Sequence, residues 1–157
     1  MTYRTILVHV DGSEGGQARA AMALTLAARF EASVTAVFLR SDAIPPVITG
    51  DGFAVIPGEI IRQLMDDRAK ETARLSAVAR TSFEAAARAA SLPVTWCDIN
   101  GDFDDELVAC ARRHDLSILP PRMKAALGQA TLTAAHVGMA SGSPILVVGA
   151  APAGPSL

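Results

Sequence analysis

Aromatic side chains are scarce in this chain of 157 residues: one Trp, one Tyr and five Phe make up 4% of it. Single-stranded nucleic acids are held largely by stacking on such rings, so a platform of that kind is excluded. Neither sign of charge is in surplus. Fourteen Lys and Arg against sixteen Asp and Glu leave a net charge of −2, whereas a dedicated nucleic-acid binder carries a basic excess. No apolar run approaches the roughly 18–20 residues that cross a bilayer, so no membrane association is expected. Met1-Thr2-Tyr3-Arg4 leads straight into a strand-like run with no secretory cleavage pattern, and the expected location is the cytoplasm. Cysteine is limited to Cys97 and Cys110, thirteen positions apart and without CxxC spacing. They read as reduced thiols, not as a disulfide or zinc framework.

What the chain has in quantity is small apolar residues. Half of it is hydrophobic and 19% is charged, a balance that excludes disorder and suits closely packed helices. The length fits one domain with a real core, expected over residues 1–149, with the Ala-, Pro- and Gly-rich stretch 150–157 as a tail or linker.

Strand-like and helix-like stretches alternate. Thr5 to Val10 is a continuous apolar run, as a parallel strand buried on both faces requires, and Asp11-Gly12-Ser13 ends it. Gln17 to Phe30 reads as a helix with Ser13 as its N-cap, and Ser33 to Leu39 as a second strand. Residues 40–58 hold three Pro and three Gly, a loop long enough to mark a lid or binding loop. Glu59 to Ala90 has a three/four apolar spacing with charges on the other side, and Pro93 closes this helix. Val94 to Ile99 is a third strand, followed by the turn Asn100-Gly101 and a helix capped by Asp102 that runs to His114. Leu116 to Leu119 is a fourth strand. Ala125 to Ala140 reads as weakly helical, and Pro144 to Val148 as a fifth strand. This order predicts an α/β fold, a five-stranded parallel sheet with helices on both faces, with ligands beyond the carboxyl ends of the strands.

Few residues there point to chemistry. Asp11-Gly12-Ser13-Glu14-Gly15-Gly16 is neither G-x-G-x-x-G nor a Walker loop, so turn and cap account for it. Asp102, Asp104, Asp105 and Glu106 form an acidic cluster without a local His, and carboxylates in a first helical turn are favoured by the dipole. His9 lies inside a strand, His114 ends a helix, and His136 has no partner of metal-ligand type nearby. Ser13 lacks the G-x-S-x-G context of a nucleophile, and Cys110 sits on a helix face. No catalytic or metal-binding set emerges. Arg112-Arg113 and Arg122/Lys124 read as solvated charges.

Taken in order, Y-R-T-I-L-V-H-V-D-G-S-E, V-T-A-V-F-L, I-N-G-D-F-D-D-E-L, H-D-L-S-I-L and S-G-S-P-I-L-V-V-G resemble the universal stress protein family, the UspA-like proteins. The resemblance covers residues 3–149. It implies a Rossmann-like fold of the adenine nucleotide alpha hydrolase-like superfamily. In that family the fourth strand leads into G-x-x-G, nine residues and G-S/T, which hold the phosphates of ATP, while an Asp after the first strand and a Val on the second help hold the adenosine. Asp11 and Val37 stand at those two positions. The loop departs from the pattern: Pro120-Pro121-Arg122-Met123 follows Leu119, and Thr133-Ala134 stands where G-S/T is expected. Proline has no N–H, and Met does not readily take the positive φ open to Gly. Two donors of a phosphate nest are therefore missing.

The resemblance thus implies a remnant adenine-nucleotide pocket at Val10, Asp11, Val37, Leu119, Pro120 and Arg122. No cofactor is expected, with ATP or AMP as the ligands it would allow. The expected function is a non-catalytic stress-response module that acts through dimerisation and partner contacts. The alternatives are an ATP- or AMP-binding regulator with an altered loop and a small nucleotide hydrolase, for which no base or Walker Lys is found. Pro144 to Val148 would be an apolar edge strand, and members of the family pair their last strands, so a homodimer through it is expected. The tail or a second universal stress protein domain would cover the edge instead.

Overall fold

The computed structural model of the protein describes residues 3–40, 57–100, 103–124 and 131–149. Its elements in chain order are β1 (Thr5–His9), α1 (Glu14–Phe30), β2 (Ser33–Arg40), α2 (Gly58–Ala89), β3 (Val94–Asn100) and α3 (Phe103–Arg112). They continue with β4 (Leu116–Leu119), β5 (Arg122–Lys124), β6 (Thr131–Thr133), α4 (Ala134–Ser141) and β7 (Ile145–Val147). The main sheet has five strands in the order β3-β2-β1-β4-β7, all parallel. Of the loop expected over residues 40–58, Arg40 ends β2 and Gly58 begins α2, while residues 41–56, the cap Asp102 and the tail 150–157 lie outside the described residues.

The strands in the middle are mostly apolar because both faces are covered, with His9 and Ser117 as buried polar exceptions. Ile6, Val8, Val10, Ala36, Phe38 and Ile118 face α1 and α2. Leu7, Val37, Leu39, Ile99 and Leu119 face α3 and α4. Small residues let α1 approach closely: Gly15, Gly16, Ala20, Ala23 and Ala27 form its buried stripe. Its C-cap Glu31 takes a left-handed conformation, and the Ala32 amide closes back on the Ala27 carbonyl at 3.0 Å, as in αL caps. In α2 the buried positions Thr72, Ser76, Ala79, Phe83 and Ala87 recur at three/four spacing. They begin only at Thr72, so the first turns of this 32-residue helix bury no side chain against the sheet.

The segment after β4 differs from the sequence expectation. Ala125 to Ala140 was expected to be helical, but Thr131–Thr133 is a strand, and α4 begins at Ala134. Thr133 is its N-cap, accepting from the His136 amide at 3.2 Å. Strand β6 pairs antiparallel with β5, with Met123 opposite Leu132. Each buries its middle residue between more exposed neighbours, the two-residue period of a strand, so Met123 and Leu132 join the α3/α4 core. That alternation outweighs the modest helix preference of the residues around it.

Candidate functional site

The carboxyl end of β1 carries the candidate site. The Val10 amide donates to the Val37 carbonyl at 3.0 Å, extending the β1–β2 ladder by one step. Gly12 then turns the chain at φ +74°. Asp11 folds back over the turn: its Oδ1 accepts from the Ser13 amide at 3.1 Å and the Ser13 hydroxyl at 2.6 Å. The same hydroxyl accepts from the Gly16 amide at 3.0 Å and caps α1. A side chain at Gly16 would collide with the Asp11 carboxylate, which would have to leave the Ser13 turn to admit it. Turn and cap, the reading made from spacing, describe this loop.

A cation completes it. Arg19 on α1 is 2% exposed and spends its guanidinium on groups from three places. Nε donates to the His9 carbonyl at 3.0 Å, one terminal nitrogen to Asp11 Oδ2 at 3.0 Å, and the other approaches the Val148 carbonyl at 3.5 Å. The terminal nitrogen bound to Asp11 also lies 3.4 Å from His9 Nδ1. With Nδ1 accepting, His9 Nε2 carries the proton, and although buried it has no hydrogen-bond partner among the described residues. Burial pushes the His9 pKa down to about 4; the Asp11 charge opposes this and Arg19 reinforces it. For Asp11, burial works to raise the pKa. The Ser13 hydroxyl bond, then His9 and Arg19, outweigh it and hold the carboxyl below its ordinary value.

Sequence reasoning missed Arg19. The signal was present: position 19 lies three residues after Gly16 and four before Ala23, on the buried stripe of α1. An Arg there must find partners in the interior.

The six expected site residues are brought together only in part. Asp11 is half-exposed at the strand end. Val10 and Val37 are joined through the backbone, but their side chains lie in opposite cores. Leu119 is fully buried, and its carbonyl accepts from the Val148 amide at 2.9 Å. Pro120 is buried beside it, while Arg122 is exposed in β5, opposite Thr133. A groove of about 290 Å³ opens between α1 and α2, floored by Val10, Ala79 and Phe83 with Gln17 and Ser82 among its polar groups. Of the six, Val10 alone lines it.

Three of the other singled-out residues have structural partners. His114 Nδ1 lies 2.7 Å from the Cys110 carbonyl and Nε2 3.0 Å from the Thr35 hydroxyl, tying the end of α3 to β2. Arg112, read as solvated, donates to the Ala140 carbonyl at 2.7 Å, and Arg113 reaches the Cys110 sulfur at 3.3 Å. Asp104, Asp105 and Glu106 occupy the first turn of α3. Among the described residues no group of three or more His, Cys, Asp or Glu is placed to hold a metal. No helix among them is long and apolar enough to cross a membrane.

The model of the Universal stress protein family matches residues 2–119. The chain belongs to this family. Comparison with curated proteins found no match. Among solved structures, universal stress protein UspA from Lactobacillus plantarum superposes with a TM-score of 0.63 at 18% identity, over 94% of this chain and 99% of that one. A universal stress protein in complex with cAMP gives 0.52 at 21% identity, over 94% and 98%. A universal stress protein family protein from Arabidopsis thaliana with AMP bound gives 0.56 at 10%, over 93% and 91%. At these identities the likeness is one of fold. In this chain the fourth strand is followed by the antiparallel pair β5–β6.

Proposed function

We propose that this universal stress protein is a non-catalytic regulatory module that works through self-association and binds ATP weakly or not at all. The observation that carries the reading is the fate of the segment after β4. Pro120 and Pro121 offer no amide hydrogens, Met123 is 1% exposed in the core, and Arg122–Lys124 is committed to the β5–β6 ladder. A phosphate nest needs consecutive free N–H groups facing outward. The family match ends at Leu119, where this departure begins. Asp11 is also engaged internally by Ser13 and Arg19.

Self-association is assigned to β7, the last strand of the sheet order. Its outer edge has no strand partner among the described residues, and Val147 is 51% exposed. Exposed apolar edges pair readily. Two structural relatives are described with AMP or cAMP, which makes an adenosine-sized ligand without a triphosphate the second reading. Sedimentation of the free chain, run beside calorimetric titrations with AMP and cAMP, tests these statements. A dimer is expected; a monomer across micromolar concentrations contradicts the assembly reading. Micromolar binding of either nucleotide would favour the second reading.

A further inference from the structure

We infer that Arg19 couples Asp11, at the solvent-facing end of β1, to the edge strand β7. The strands involved are not neighbours: β4 stands between β1 and β7, and one guanidinium spans the gap. On the β1 side it holds the His9 carbonyl and Asp11 Oδ2, each at 3.0 Å. On the other it reaches the Val148 carbonyl at 3.5 Å, one residue beyond β7. Val148 is fixed on its amide side to Leu119 at 2.9 Å and its side chain packs against the α1/α2 core; the guanidinium contact adds a hold on its carbonyl.

The two partners differ in access. The Asp11 side chain is 37% exposed and that of Arg19 3%. A donor arriving from solvent meets Asp11 first. If it takes Oδ2, Arg19 loses its only carboxylate partner among the described residues and is left as a buried cation held by carbonyls alone. Such a cation turns toward water, and Val148 is released with it. Linkage then runs both ways: fixing β7 against a second copy holds Arg19 on Asp11 and weakens any ligand that competes for that carboxylate. Lysine would not substitute. It carries the charge but not the planar fork that reaches three acceptors. The consequence for assembly rests on the proposed self-association through β7; the coupling itself does not.

The test is amide exchange at Val148, read by NMR in the full chain and in Asp11→Ala, Arg19→Gln, the double variant and Arg19→Lys. Each of the first two is expected to speed Val148 exchange about tenfold, the loss of one charge-assisted hydrogen bond, with core amides such as Val8 unchanged. The double variant exchanges no faster than Arg19→Gln alone, because both changes cut one connection. Arg19→Lys keeps the Asp11 titration midpoint low yet leaves Val148 fast. Unchanged Val148 exchange in Asp11→Ala, or additive effects in the double variant, overturns the inference. Should Arg19→Gln fail to fold, Asp11→Ala decides alone, since it alters a half-exposed side chain. Sedimentation of the wild-type chain separates the two ideas: a monomer removes the assembly reading, while Val148 exchange still decides the coupling.

Discussion

Met123 lies opposite Leu132 in the antiparallel pair of β5 and β6, and both side chains are buried in the core between the sheet and α3/α4. That pairing makes the segment after β4 a packed structural element in its own right.

Replacing Pro120, Pro121 and Met123 by Gly, Ser and Gly restores backbone donors and conformational freedom at this place. ATP affinity should rise, as read by calorimetry. Stability should fall in the same variant, because emptying a buried Met site costs about 2–5 kcal/mol, with a further cost for Gly in a strand. Met123→Ala alone should show the stability loss in urea unfolding without the gain in affinity. If the triple variant gains no affinity, the prolines and Met123 are not what closes the site.

His9 sets a pH dependence. Its pKa is about 4 in the folded chain against 6.5 ordinarily. Between those values the unfolded chain takes up a proton that the folded chain does not, so stability falls as pH falls, by about 3 kcal/mol over the window. Asp11 has the opposite origin: its lowered pKa contributes stability above the ordinary carboxyl value and loses it only at lower pH. Urea unfolding at pH 7 and pH 4.5 should therefore differ in midpoint, and His9→Asn should flatten the difference. Equal pH slopes in the two proteins would assign the effect elsewhere.

The β7 edge is best probed at Val147. Leu146 packs against the α1/α2 core, so a charge there threatens folding, whereas Val147 is 51% exposed. Val147→Lys should shift sedimentation from dimer to monomer while the circular dichroism spectrum and melting temperature stay within a few degrees of the parent. An unchanged dimer would place the interface on another face.

The sheet was legible because each central strand is a short apolar run bounded by turn residues, and Ser13 announced its helix by position. The β5–β6 hairpin was not. Arg122-Met123-Lys124 and Thr131-Leu132-Thr133 do alternate, but three residues are too few to separate a strand from the start of a weak helix. Their identity as strands comes from Met123 and Leu132 meeting across the pair, a contact of non-local origin. Asp11 was found from its place after β1, yet its partner was hidden: Arg19 reads as one charge in an alanine-rich helix until the helix is wound and its buried stripe traced. Val10 and Val37 show a further limit. Sequence places Val10 at the end of the first strand and Val37 within the second, but the alternation of side chains sends them into different cores.

We propose that this universal stress protein lacks a working phosphate cradle after β4. Calorimetric titration of the wild-type chain with ATP tests it most directly. The account predicts no binding heat at micromolar nucleotide, and a dissociation constant in the micromolar range or tighter would contradict it.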